Sequence, residues 1–315
     1  MERILVTGAN GFIGRALVAR LSSDKFDLTL AVRTALPDAA AQHRYVVVGD
    51  ISARTDWSQA LGGCRTVVHL AGVIPRRGVS EERFRVVNDE ATASLVEQAH
   101  KSGVRRFVLL SSLAAITDNA CPDIVSDMQA PRPVSAYGRS KLAAERHVTA
   151  FAGEGREGVS LRPPMVYAGT AGGSWALLQK LAASRLPLPF GAVRNRRAAL
   201  SLDNLTDAVA TVVGTKEPVA GGAFIVADED PVGLAEMLLL LRQGMGLAPR
   251  LFPVPRPLLS GPLRMVAPRL AKSLLDDLVV DAGAFRDTFG WTPPEDVHEA
   301  MRRSGADYAA ARRRR

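Results

Sequence analysis

TGANGFIG, Thr7 to Gly14, follows the short apolar run RILVT (Arg3 to Thr7) and precedes ALVARL (Ala16 to Leu21). The first run reads as a buried strand and the last has helical spacing, so the glycines occupy a strand-to-helix turn. Gly8, Gly11 and Gly14 recur at every third residue, which departs from the commoner GxGxxG. The physical reading is unchanged. One glycine makes the turn, one lets the backbone approach a pyrophosphate, and one lets helix and strand pack closely. A helix starting near Gly11 aims its unpaired N–H groups and the positive end of its dipole at the phosphates. The plain alternative is a structural βα turn without a ligand.

The second strand, DLTLAVR (Asp27 to Arg33), bears on the cofactor. NAD sites commonly end this strand in an acid that accepts from the ribose 2′-hydroxyl. Here the strand ends in Arg33, which suits the 2′-phosphate of NADP through a charge-assisted contact. NADP is therefore favoured, with NAD as the alternative. Further strands are read at RYVVVGDI (Arg44 to Ile51), TVVHLAG (Thr66 to Gly72), RFVLLSS (Arg106 to Ser112) and GVSLRPP (Gly158 to Pro164). Asp50 could meet the adenine amino group, and Glu81 to Ser102 reads as a long helix carrying Asn88. Apolar runs alternating with helices predict an α/β fold, a doubly wound, Rossmann-like parallel sheet. Gly8, Gly72, Ser112 and Pro164 all fall at carboxyl ends of strands, where such sheets bind ligands.

Tyr137 and Lys141 stand one helical turn apart in AYGRSK, and Ser112 precedes the tyrosine by 25 residues. Moving a hydride to or from a carbinol carbon needs a proton donor or base at its oxygen. A free tyrosine has a pKa near 10, so ionising it at neutral pH costs about 4 kcal/mol. A lysine cation on the same helix face lowers that cost. Ser112 can then hydrogen-bond the substrate oxygen. A half-buried aromatic beside a surface lysine is the bland alternative.

The ordered set TGANGFIG, VVVGDI, HLAG, LLSS, AYGRSK and LRPPMVY resembles the extended short-chain dehydrogenases/reductases, in their sugar-nucleotide epimerase, dehydratase and 4-keto-reductase branch. The resemblance runs nearly end to end. It implies Ser112, Tyr137 and Lys141 as the catalytic triad; Ser111 would point to the other side of its strand. It implies a cofactor held by Gly8, Gly11, Phe12, Ile13, Gly14 and Arg33. Asp50, Ile51, Leu70, Ala71 and Gly72 would contribute further along, with Asn88, Tyr137, Lys141 and Pro164. Substrate contacts are expected from Ser112, Tyr137, Met165 and Arg197, the last on the nucleotide diphosphate.

Within the branch, a dehydratase places a Thr-Asp-Glu run where this chain has Ser112, Leu113 and Ala114. Without the acid, dehydration lacks its proton donor. The leading expectation is an NADPH-dependent reductase of a UDP-4-keto-6-deoxy-N-acetylhexosamine for polysaccharide synthesis. A UDP-hexose 4-epimerase with retained NAD is the alternative. A non-catalytic dinucleotide sensor is the reading from another class.

The length of 315 residues suggests two units: a nucleotide-binding unit over 1–160, with about 198–227 returning to it, and a smaller C-terminal substrate lobe over 161–197 and 228–315. The net charge of +8 suits an anionic substrate, and aromatics at 5% argue against nucleic acid. Two cysteines without metal spacing, no metal-ligand cluster and no long apolar stretch point to a cytoplasmic protein without metal. The Pro253 to Leu278 segment mixes apolar and basic residues with prolines. It reads as a substrate lid rather than a membrane-resting surface. Val87, Ala91, Leu95, Val96 and Ala99 give the long helix a broad apolar face, and the family's habit of pairing it with Ser135–Phe151 implies a homodimer.

Overall fold

The structure, a computed structural model, describes residues 2–24, 26–34, 43–117, 120–121, 123–184, 186–219, 221–259, 265 and 268–313. Seven strands form one parallel sheet: β1 (Arg3–Thr7), β2 (Asp27–Val32), β3 (Arg44–Val47), β4 (Cys64–His69), β5 (Arg106–Leu110), β6 (Glu157–Arg162) and β9 (Gly222–Ile225). Their order is β3-β2-β1-β4-β5-β6-β9. This is the doubly wound, Rossmann-like architecture that the alternation of runs predicts. Ile4, Leu5 and Val6 of β1 are each no more than 1% exposed, because helices cover both faces. β1 lies between β2 and β4, with Thr7 opposite Ala31 on one side and His69 on the other. The strand order reverses there, which opens a crevice beyond the carboxyl ends.

The helices carry the rest. α1 (Phe12–Ser23) leaves the glycine turn, and α2 (Ser58–Leu61) precedes β4. α3 (Glu81–Phe84), a π turn over Arg85–Glu90 and α4 (Ala91–Lys101) replace the uninterrupted helix expected over Glu81–Ser102. The wider turn lets the Asn88 side chain leave the helix and bond the 73 backbone. α5 (Ala136–Phe151) packs beside α4. α6 (Gly173–Ala182), α7 (Leu202–Gly214), α8 (Leu234–Gly244), α9 (Pro268–Leu275), α10 (Gly283–Phe289) and α11 (Val297–Arg313) follow.

Three large cores hold these layers. One lies under α1 and α7 (Leu17, Leu21, Val209, Val212), and another under α4 and α5 (Trp57, Leu95, Phe107, Val148). A third joins the short pair β7 (Met165–Tyr167) and β8 (Ala199–Ser201) to α6, α8 and α11 through Trp175, Leu238 and Met301. The apolar face of Val87, Ala91, Leu95, Val96 and Ala99 is buried within the fold itself, none of them more than 8% exposed. Arg106, near the start of β5, ties the sheet to the returning helix. Its Nη1 donates to the carbonyls of Val212, Val213 and Thr215 at the end of α7, and its Nε pairs with Glu157.

The third strand stops at Val47, so Asp50 and Ile51 stand in the loop beyond it. Of the Pro253–Leu278 segment, Pro262, Leu263, Arg264 and Val266 lie outside the described residues, as do the side chains of Pro268, Arg269 and Leu270. The end of the basic tail, Arg314 and Arg315, lies outside them too. Ala271, Leu274 and Leu275 of α9 are buried against the third core or its neighbours. Among the described residues no helix is long and apolar enough to cross a membrane.

Candidate active site

The turn after β1 is built for close approach. Gly8 has φ +69°, and a Cβ there would lie 2.8 Å from the Ala71 nitrogen. A Cβ on Gly14 would lie 2.2 Å from the Gly8 carbonyl oxygen. Only glycine permits both contacts. α1 begins at Gly11 with no side-chain cap, and Gly11 lines the crevice, so the uncapped helix start opens onto it.

Two cavities meet the carboxyl edge of the sheet. The first, about 400 Å³, is lined by Gly8, Gly11, Arg33, Asp50, Ile51, Leu70, Ala71 and Gly72. It is the crevice at the switch point. Gly14 is buried behind it, Ile13 packs on the core under α1, and Phe12 is partly exposed. Arg33 is largely exposed, with Nη1 3.8 Å from Asp50 Oδ1. Arg83, which the sequence reading passed over, reaches the same oxygen at 3.7 Å and lines the same crevice. Its signal is faint, a basic residue three after the Ser80 cap of α3.

The second cavity, about 740 Å³, is lined by Ser112, Tyr137, Pro164, Met165, Arg197 and Lys272 among others. Pro164 thus faces this larger space rather than the glycine crevice. Arg197 is 7% exposed, and its Nη1 donates to the Asp276 carbonyl at 2.7 Å. Burial pulls its pKa down to about 10, with Asp276 and Asp277 opposing.

Local sequence brings Ser112 and Tyr137 together. Ser112 caps a single 3₁₀ turn (Leu113–Ala115), its Oγ accepting from the Ala114 nitrogen at 3.2 Å. Ser135 caps α5 by accepting from Gly138. A Cβ on Gly138 would lie 2.2 Å from the Ala114 carbonyl, so the missing side chain lets α5 sit against that turn. The Phe84 ring meets Tyr137 edge-on at 5.8 Å. Burial raises the Tyr137 pKa, and a hydrogen bond with Ser112 pulls it back.

Lys141 is 6% exposed, and its Nζ donates to the Leu110 carbonyl at 2.8 Å. Burial pulls its pKa down to about 8, opposed by the Glu145 charge. A Cβ on Gly72 would lie 3.5 Å from that Nζ and 3.0 Å from Asn88 Oδ1. Asn88 accepts from the Val73 nitrogen and donates to the Val73 carbonyl and to Ser140. It braces the wall between crevice and α5 without lining either cavity.

His69 sits deeper, in a chain of hydrogen bonds with one consistent direction. The Ala71 nitrogen donates to Thr7 Oγ1 at 3.2 Å, and that hydroxyl lies 2.7 Å from His69 Nδ1. Thr92 Oγ1 donates to the Asn88 carbonyl, so it accepts from His69 Nε2 at 3.1 Å. The ring is therefore neutral with its proton on Nε2. Burial and the Lys141 charge depress its pKa to about 3. It is a packed strand-end residue.

Ser111 points away from both cavities, to Glu145. Glu145, Arg162 and Asp127 form a buried charged group there that sequence reading missed. The signal was present: Glu145 follows Lys141 by four residues in AYGRSKLAAE, one turn along the same face.

A profile of the NAD dependent epimerase/dehydratase family matches residues 4–227. A UDP-glucose 4-epimerase from Vibrio cholerae is 32% identical over 99% of this chain and 97% of that protein. A 3-diazoavenalumate denitrifying reductase from a Streptomyces species is 31% identical over 92% of this chain and 96% of its own length. Among solved structures, a UDP-N-acetylglucosamine 4-epimerase from Bacillus cereus superposes with a TM-score of 0.78 at 18% identity, covering 98% of this chain and 99% of that one. That likeness is one of fold.

Proposed function

Since the chain belongs to the NAD dependent epimerase/dehydratase family, we propose that it inverts carbon 4 of a UDP-linked hexose with NAD as its cofactor. The observation that carries this reading is the position of Ser112 and Tyr137. They line the larger cavity at the carboxyl end of β5, with Lys141 behind them beside Gly72. Full-length similarity to a UDP-glucose 4-epimerase supports the choice among reactions. The absence of an acid among Ser112, Leu113 and Ala114 removes the dehydration step.

The residues present fit a dinucleotide. Gly8 and Gly14 let the turn pack backbone against backbone, Gly8 and Gly11 line the crevice without side chains, and the uncapped start of α1 offers N–H donors. Bound NAD supplies a reversible hydride acceptor for carbon 4. Tyr137 takes the proton of the 4-hydroxyl as the carbonyl forms and returns it on reduction. Ser112 holds the same oxygen by hydrogen bonding. Lys141 contributes a positive charge that favours the phenolate. Arg197 and Lys272 place cations for the diphosphate, and Met165 contributes an apolar wall. With UDP-glucose and NAD, the purified protein is expected to yield UDP-galactose, read by proton NMR of the anomeric signals. No product at any protein concentration would remove the epimerase reading.

A second reading is favoured by one observation. Arg33, exposed at the end of β2, stands where NAD sites usually carry an acid. It supports NADPH-dependent reduction of a UDP-4-keto-6-deoxy-N-acetylhexosamine. On this reading, Arg33→Asp weakens NADPH binding by about 1.5–3 kcal/mol, the scale of a charged hydrogen bond. NADH binding holds or improves. Fluorescence titration of both cofactors into both proteins decides it; equal wild-type affinities would sink the NADP assignment.

A further inference from the structure

We infer that Glu145 is a positioning residue for the reaction, keeping the Lys141 ammonium charged beside Tyr137 from within a neutral buried network. The inference rests on the Tyr137–Lys141 reading given above. Glu145 is 3% exposed and lies one turn beyond Lys141 on α5. Its Oε1 accepts from Ser111 Oγ and from Arg162 Nε at 3.0 Å, and its Oε2 accepts from Arg162 Nη2 at 2.7 Å. Arg162 Nη1 reaches Asp127 Oδ1 at 3.1 Å, and Asp127 Oδ2 accepts from the Ile225 nitrogen at 2.8 Å.

Lys141, Glu145, Arg162 and Asp127 therefore alternate in sign and balance in charge, which is what makes four ionised groups tolerable away from water. Asp127 neutralises the far side of Arg162, so the guanidinium does not cancel what Glu145 offers Lys141. Among the described residues, the other groups packed around Lys141 supply no such charge. His69 from β4 is neutral, Asn88 and Ser111 are uncharged, and the Leu110 carbonyl gives one hydrogen bond. On the outer side of α5, Asp89 pairs with His147 and Glu81 with Arg139, each partly or fully exposed. Glu145 is thus the buried anion through which Lys141 resists desolvation.

Two effects of removing that charge have opposite signs at Tyr137. A Lys141 that loses its proton sooner raises the pH at which the phenolate forms. Loss of direct repulsion from Glu145 would lower it. Glu145 is two turns from Tyr137, roughly 12 Å of helix rise, while Lys141 is one turn away, so the first effect dominates.

The test is a spectrophotometric titration of phenolate absorbance in the NAD-loaded protein. Subtracting the Tyr137→Phe variant isolates this residue among four tyrosines. In Glu145→Gln the midpoint is expected to rise by about 1 pH unit or more, the scale of a close charge pair. Glu145→Asp, which keeps the charge, should recover most of the wild-type midpoint. Ser111→Ala, which removes a hydrogen bond and no charge, should leave it in place. If Glu145→Gln does not fold, the variant Glu145→Gln/Arg162→Gln/Asp127→Asn leaves no buried ion without a partner and should show the same rise. Lys141→Met separates the two readings. A rise there with none in Glu145→Gln overturns the role of Glu145 alone. No rise in Lys141→Met overturns the Tyr137–Lys141 pairing, and the role of Glu145 with it.

Discussion

Tyr137→Phe is expected to lower turnover by about two or more orders of magnitude, the scale of a lost general acid/base, while NAD binding stays within a few-fold of wild type. The substitution removes one hydroxyl. The ring keeps its edge-on contact with Phe84, and the Ser135 cap of α5 is untouched. What disappears is the group proposed to accept and return the proton, together with its bond to Ser112. Steady-state rates and a cofactor titration on the same preparation check both halves. Full activity would mean that Tyr137 does not carry the proton, whereas cofactor binding without turnover in the wild type would mark a dinucleotide sensor. Loss of cofactor binding along with activity would show instead that the hydroxyl holds the fold.

Arg162→Met should cause the largest loss of stability, about 3–5 kcal/mol, the usual result of removing one partner from a buried ion pair. Two carboxylates depend on this guanidinium, and the Arg162 and Glu145 side chains are 7% and 3% exposed. Methionine fills much of the volume but satisfies neither acid. The urea midpoint at neutral pH reads the effect. The deficit should shrink in acid, where Asp127, whose pKa burial already raises, can take a proton and shed the cost of buried charge. Wild-type stability in the variant at neutral pH would mean that water reaches the pair.

The strands and the glycine turn were legible because parallel sheets bury both faces and leave continuous apolar runs such as RILVT and RFVLL. Ser112, Tyr137 and Lys141 were legible through spacing that fixes helix face and strand end. Three things were not. The π turn at Arg85–Glu90 has no signature in periodicity, since one added residue looks like noise in a helical pattern. The partnership of Glu145 with Arg162 and Asp127 joins residues far apart in the chain: α5·β6 packing brings Glu145 to Arg162, and the stretch before α5 brings Asp127. The broad apolar face of Val87 to Ala99 was legible, but α-helical amphipathicity does not say whether the covering surface belongs to the same chain or to a partner.

The π turn also sets how this stretch can change over evolutionary time. A turn of this kind holds one residue more than its α-helical counterpart, so deleting a single residue would heal the ladder. Healing it would also swing everything on one side by about 100°, one residue's worth of helical rotation. Phe84 would leave the Tyr137 ring, or Asn88 would leave Val73 and Ser140. Point substitutions on the exposed side of this segment are therefore cheap, while a change of length is not. The segment can drift in composition, but its residue count is locked.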